Sequence, residues 1–290
     1  MPLVPTLDLL HGAVAARTGV AAFNVIHLET AEALVSAAEE TRRPVILQIS
    51  QNCADYHGGL DPIARGTLAL AADSSAHVAV HLDHAEDAAL TRQAVDLGFG
   101  SVMFDGSTLP YDDNVAATVR VVEYAHANEV SVEAELGEIG GKDGAHAPGA
   151  RTDPVEARRF VTETGVDALA VAVGSSHAMT ERNAQLDLDL IASLRHAVHV
   201  PLVLHGSSGV ADETIEAAIR SGITKVNVST HLNRFFTDAI RAYLRANPEV
   251  VDSRRYVREG RAAVAAEAAR LMTLFDVAAG AASGTETAQR

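Results

Sequence analysis

His77-Val-Ala-Val-His-Leu-Asp-His84 is the stretch whose reading decides the fold. Val78, Val80 and Leu82 alternate with Ala79 and His81, the period of a β-strand, and Asp83 and His84 spill out at its C-terminal end. A carboxylate beside an imidazole at a strand end is either a polar cap on the next helix or part of a chemical site. What repeats on either side of the stretch separates the two readings.

Upstream, Ala21-Ala-Phe-Asn-Val25 and Val45-Ile-Leu-Gln-Ile-Ser50 are short apolar runs of the same kind. Downstream come Ser101-Val-Met-Phe-Asp105, Ser131-Val-Glu-Ala-Glu135, Asp167-Ala-Leu-Ala-Val-Ala-Val173, Pro201-Leu-Val-Leu-His205 and Ile223-Thr-Lys-Val-Asn-Val-Ser229. Helical patterns lie between them, from about Glu29 and over 112–126, 154–164 and 212–221. Eight strands alternating with helices predict an α/β fold, a closed (β/α)8 TIM barrel. An open doubly wound sheet is disfavoured because no Gly-x-Gly-x-x-Gly turn follows the first strand. The segment after Ala239, through Tyr243, Val251 and Tyr256 to Phe275, predicts a C-terminal helical extension. Residues 1–277 therefore read as a single barrel domain with C-terminal helices, and 278–290, rich in Ala, Gly, Ser and Thr, as a flexible tail.

Composition narrows the partners. The 290 residues are 48% hydrophobic, ample for a large core, and 38 acids against 23 bases give a net charge of −15. That charge argues against nucleic acid or an anionic membrane as the main partner, but not against a phosphorylated substrate, which backbone N–H groups can hold locally. The lone Cys53 excludes an intrachain disulfide and reads as a passive, partly buried thiol. Met-Pro-Leu-Val-Pro-Thr6 lacks the features of a signal peptide, and no uncharged apolar run reaches membrane-spanning length, so a cytoplasmic protein is expected.

The C-terminal ends of the strands carry Asn24, Ser50, Asp83 with His84, Asp105, Glu135, His205, and Asn227 with Ser229; His177 lies just past strand six. In a barrel these ends converge on the face where active sites are built. His84, His177 and His205 can then meet around a catalytic zinc, a reading weighed against three unrelated members of the chain's 13 histidines. Glu135 and Asp105 either hold a second or displaced cation or hydrogen-bond the histidines. His81, on the face of Asp83 by period two, either orients that carboxylate or is a satisfied core histidine. Gly206-Ser-Ser-Gly209 and Asn227-Val-Ser-Thr230 follow strands seven and eight and open helices, the usual place of a barrel's phosphate cradle.

Taken together, Ala22-Phe23-Asn24, His81-Leu-Asp-His84, Ser101-Val-Met-Phe-Asp105, Val132-Glu-Ala-Glu-Leu-Gly137 with Gly140-Gly141, Pro201-Leu-Val-Leu-His-Gly206 and Lys225-Val-Asn-Val-Ser-Thr230 resemble the class II, metal-dependent ketose-bisphosphate aldolases, fructose- and tagatose-bisphosphate aldolases together. The matches run in order from about residue 3 to residue 270. The resemblance implies a lyase of carbohydrate metabolism, placed in glycolysis, that reversibly splits a ketose 1,6-bisphosphate into dihydroxyacetone phosphate and an aldehyde such as glyceraldehyde 3-phosphate. It implies Zn²⁺ on His84, His177 and His205, with Glu135 and Asp105 as acidic ligands of a second or alternative position, and a monovalent cation near the phosphate. Asp83 becomes the acid/base at the cleaved bond. Gly206, Ser207, Ser208, Asn227, Val228, Ser229 and Thr230 hold the dihydroxyacetone phosphate half, with Asn24, Ser50 and Ala178 nearby, and Arg254 of Asp252-Ser-Arg254 meets the far phosphate. A homodimer or homotetramer is implied.

Three positions depart from the family pattern. In Gly140-Gly-Lys-Asp-Gly144, Asp143 stands where a glutamate usually moves the carbon-bound proton; Ala178 replaces a glycine; and His231 replaces an acid after Thr230. Asp143 motivates two alternatives: a different phosphorylated ketose as substrate, or a catalytically reduced partner subunit. A metal-dependent hydrolase ranks last, because the first strand carries no His-x-His.

Overall fold

Period-two alternation in every strand sorts the side chains into two layers. In the computed structural model, which describes residues 3–136, 151–176 and 182–277, one set of alternate positions includes Phe23, Leu47, Val80, Val102, Val132, Leu169, Leu204 and Val226 and packs with the surrounding helices. The other set, with Val20, Ala22, Ile46, Ala79, Met103, Ala168, Ala170 and Val203, forms a separate, smaller cluster inside the sheet. A sheet buried on both sides by its own curvature and by helices accounts for runs that are apolar almost throughout.

The strands are β1 (Val20–Asn24), β2 (Val45–Ser50), β3 (Val78–Ala85), β4 (Ser101–Phe104), β5 (Ser131–Leu136), β6 (Ala168–Val171), β7 (Leu202–Leu204) and β8 (Ile223–Val228). Each pairs in parallel with the next, and β8 returns to β1 with Asn227 opposite Ala22, so the sheet closes in sequence order as a TIM barrel. The expected barrel and its C-terminal helical extension are both present. The extension is the helix Ser253–Phe275, which follows the helix Thr230–Ala246 and buries Val264, Ala268, Leu271, Met272 and Phe275.

An element not anticipated from the sequence closes the bottom of the barrel. Thr6–Ala16 is a helix whose Leu9, Leu10 and Ala13 join the inner cluster, below the first turn of the strands. Its apolar positions sit on one face by the i, i+1, i+4 pattern, but the run is too short to announce itself among the strand signals. With the helix at that end, the polar residues at the strand ends lie at the opposite, C-terminal face of the barrel.

Strand β3 breaks its own period at the decisive point. Pairing with β4 shifts register between Leu82 and Ala85, and His84 adopts a left-handed φ of 47°. A bulge of this kind costs conformational energy in a residue with a Cβ, and it turns two consecutive side chains toward one region where a regular strand would send them to opposite faces. Asp83 and His84 thereby share the barrel mouth. Among the described residues, no helix is long and apolar enough to cross a membrane.

Candidate active site

His84 and His205 meet at the mouth with ring centroids 4.5 Å apart and planes nearly perpendicular. His84 Nδ1–H donates to Asp105 Oδ2 at 2.8 Å, and His205 Nε2–H donates to Glu133 Oε1 at 2.9 Å. Each carboxylate thus takes the N–H of its imidazole and leaves the other nitrogen as a lone pair. Those two nitrogens, His84 Nε2 and His205 Nδ1, face each other across 2.8 Å. Lone pairs held that close call for a proton or a cation between them.

The surrounding charge points the same way. Asp83, Asp105, Glu133 and Glu135 are all at most 3% exposed, and Lys225 is the one buried ammonium among the described residues. Buried carboxylates are costly without compensating positive charge, which a bound cation would add to. Ligand atoms of Asp83, His84 and His205 lie within 4.8 Å of one another, as do those of His84, Asp105 and Glu135. Buried Asn227 Oδ1 and Ser175 Oγ have no hydrogen-bond partner among the described residues, the condition of groups that await a ligand. The donor set therefore fits a divalent metal: imidazole nitrogens and carboxylate oxygens, with carboxylates behind the imidazoles to orient them.

Asp83 is held by amides. Asn24 Nδ2 donates to its Oδ2 at 3.0 Å, Gln48 Nε2 reaches the same oxygen at 3.4 Å, and Asn227 Nδ2 donates to Oδ1 at 3.3 Å. Burial works to raise this carboxyl, but the positive side of His84, His205 and Lys225 and the Asn24 hydrogen bond outweigh it and keep it below its ordinary value. Asp83 is accordingly an ionised carboxylate, ready to accept a proton.

The structure brings Asn24, Asp83, His84, Asp105, Glu135, His205 and Asn227 together. Asp105 Oδ2 accepts from His84 Nδ1–H, and its Oδ1 accepts from Ser107 N–H and Oγ–H. Ser50 caps the helix Gln51–Tyr56 by accepting from Cys53 N–H, opposite Asp83 in the β2–β3 register. Val228 turns its side chain into the outer apolar layer, so only its backbone is available to a ligand. Arg254 stands apart: it is exposed, and its hydrogen bonds go to Asp252. His177, Ala178 and Asp143 lie outside the described residues. Cys53 is buried, donates to Val25 O, and is pushed by burial up to about 11, which suits a passive thiol.

His81 takes the core role. Its Nδ1 lies 2.6 Å from Ser101 Oγ, which in turn bonds Thr6 on the closing helix. Burial and then the nearby Lys225 charge hold it well below its usual pKa, so it is neutral. It does not hydrogen-bond Asp83; Gln48, its register partner on β2, does.

Three functional neighbours were missed by sequence reading. Lys225 Nζ donates to Glu133 Oε2 at 2.6 Å, and Glu133 in turn holds His205; Gln48 bridges Asn24 and Asp83. The signal was available as polar residues within apolar runs, at lumen-facing positions of strands buried on both faces.

The candidate cradle is built by close approach. Ser207–Gly209 is a single 3₁₀ turn after β7, and its Ser207 Oγ donates to Asn227 O while Ser208 Oγ accepts from His231 N–H at 3.1 Å. Gly206 has φ 65°, and a Cβ there would come within 2.6 Å of the Ser176 backbone in the loop after β6. Gly206→Ala is expected to displace one of these loops, lowering the thermal midpoint and weakening binding of phosphorylated ligands; an alanine variant with unchanged melting and ligand affinity would contradict this packing.

Known proteins resemble the chain along nearly its whole length. The family model described as fructose-bisphosphate aldolase class-II matches residues 4–279. A fructose-bisphosphate aldolase from Geobacillus stearothermophilus is 40% identical over 270 residues, 92% of this chain and 94% of the relative. The crystal structure of the YdjI aldolase from Escherichia coli K12 superposes with a TM-score of 0.81 at 31% identity, covering 94% of this chain and 97% of that one. Fructose-bisphosphate aldolase from Campylobacter jejuni, at 21% identity and a TM-score of 0.77 over 93% of each chain, shares the fold.

Proposed function

Because the chain belongs to the class II fructose-bisphosphate aldolase family, a family of metal-dependent lyases acting on sugar phosphates, we propose that it reversibly cleaves a ketose 1,6-bisphosphate to dihydroxyacetone phosphate and an aldehyde such as glyceraldehyde 3-phosphate. The observation that carries this reading is the pair of imidazole lone pairs 2.8 Å apart beside the amide-held carboxylate of Asp83. His84 and His205, with His177 as the third imidazole, would hold Zn²⁺, and Glu135 with Asp105 an alternative position. When bound, the ion supplies Lewis-acid stabilisation of the charge that develops as the bond beside the ketone breaks.

The chain's own residues do the rest. Asp83 takes the proton of the C4 hydroxyl during cleavage and returns it to the aldehyde oxygen in condensation. Asn24, Gln48 and Asn227 hold its two oxygens, so the carboxylate meets the substrate in one orientation. Ser207, Ser208 and the backbone around Ser229 and Thr230, at the start of the helix Thr230–Ala246, receive a phosphate. Asp143 serves as the base at the carbon next to the ketone, and Arg254 binds the second phosphate. We read the protein as an enzyme of cytoplasmic sugar-phosphate metabolism that works as a homodimer or homotetramer.

The test is cleavage of fructose 1,6-bisphosphate against tagatose 1,6-bisphosphate by the zinc-loaded protein. Turnover of one by at least about tenfold over the other is expected, since epimers differ by one hydroxyl placed against Asp83. Turnover of neither would contradict a ketose-bisphosphate substrate.

A further inference from the structure

Seven residues form a closed ring behind the candidate phosphate cradle. It begins at Val210, next to the 3₁₀ turn, whose carbonyl accepts from Arg182 Nε–H at 2.7 Å. Arg182 pairs with Asp212 Oδ1, and Arg270 reaches Asp212 Oδ2 at 2.6 Å. Two further N–H groups of Arg270 grip Glu267 at 2.9 and 2.7 Å, and Glu267 Oε1 lies 2.6 Å from His231 Nε2. The backbone N–H of His231 then donates to Ser208, closing the ring on the loop where it began.

Exposed ion pairs contribute little, but this one is a network with a forked arginine, and Glu267 is only 7% exposed. Burial works to raise the Glu267 carboxyl, yet hydrogen bonds from His231 and Arg270 bring it down to about 2. The ring crosses the loop after β7 and the helices Asp212–Ser221, Thr230–Ala246 and Ser253–Phe275. Its two arginines are matched by two carboxylates, so its field on a ligand is small. The cradle segments 206–209 and 227–230 contain no Lys or Arg, and neutral N–H and hydroxyl donors work only when correctly spaced.

We infer that this ring fixes the spacing of the two cradle loops, making Glu267 and Arg270 positioning residues for the substrate's phosphate. The inference rests on the reading of those loops as a phosphate site. The experiment uses the full-length, zinc-loaded protein and its variants Glu267→Gln, Arg270→Met, Arg270→Lys and Arg182→Met. Calorimetric Kd values for inorganic phosphate and dihydroxyacetone phosphate are measured alongside kcat, KM, zinc content and thermal midpoint. Kd and KM should rise about tenfold in Glu267→Gln and Arg270→Met, with kcat within about threefold and zinc content unchanged, and Arg270→Lys should fall between. Should Glu267→Gln fail to fold, Arg182→Met, whose side chain is 30% exposed where Glu267 is 7%, carries the same expectation. Folded variants with wild-type Kd and KM, or with reduced kcat at unchanged KM, overturn the inference while leaving the phosphate site intact. Wild-type protein that binds neither phosphate nor dihydroxyacetone phosphate overturns the site reading and the inference together.

Discussion

Asp83→Ala is expected to retain zinc and lose turnover by about 10²–10⁴-fold, the range for removal of one general acid/base. Metal analysis of the purified variant and kcat with fructose 1,6-bisphosphate check it. The separation of the two effects follows from who holds what. Asp83 is oriented by Asn24, Gln48 and Asn227, whereas the facing imidazole nitrogens are oriented by Asp105 and Glu133. Removing Asp83 leaves both imidazole tautomers in place. His84→Ala, by contrast, removes one of the two converging lone pairs, and metal and activity should fall together. An Asp83→Ala protein that cleaves at near wild-type rate would remove the proton-transfer assignment, and one that loses its zinc would show the carboxylate to be a ligand.

Lys225→Met is expected to cost about 3–5 kcal/mol of stability, the usual result of stripping one partner from a buried ion pair. Lys225 is fully buried and Glu133 is 3% exposed, with 2.6 Å between the ammonium and the carboxylate. The deleted ammonium leaves the Glu133 anion with His205 as its remaining hydrogen-bond donor among the described residues. Glu133→Gln in the Lys225→Met background should recover much of the loss, because the double change leaves no uncompensated charge. Denaturant midpoints of the two single variants and the double variant test this directly. Zinc affinity adds a second readout. The amide introduced by Glu133→Gln can present its NH₂ to His205 and reverse the tautomer, so that variant should bind zinc more weakly. Equal stability of Lys225→Met and wild type would mean that the pair is not the charge balance of the barrel interior.

How far the sequence reaches is set by physics that differs from residue to residue. The barrel was legible because strands covered on both faces are apolar throughout and end abruptly in polar residues. The strand ends alone place Asn24, Asp83, His84, Asp105, Glu135, His205 and Asn227 on one face. The bulge that turns His84 beside Asp83 was not legible, since nothing in His81-Leu-Asp-His84 marks a left-handed φ at a histidine. Period two put His81 on the face of Asp83 and left it two roles, orienting the carboxylate or filling the core; the core role holds, because a barrel lumen is crossed by several strands and Gln48, Asn24 and Asn227 reach the carboxylate first. Glu133 and Lys225 did not stand out because they sit one layer deeper than the strand ends. The helix Thr6–Ala16 escaped because its role, closing the lumen, is a tertiary one.

The claim on which the rest depends is that the converging imidazoles of His84 and His205 hold a divalent ion required for cleavage. Rate of fructose 1,6-bisphosphate cleavage, measured before chelator treatment, after rigorous removal of metal and after adding back Zn²⁺ or Co²⁺, tests it most directly. Activity should vanish on stripping and return with either ion, and borohydride should trap no covalent adduct. Robust cleavage by the metal-free protein would contradict the account.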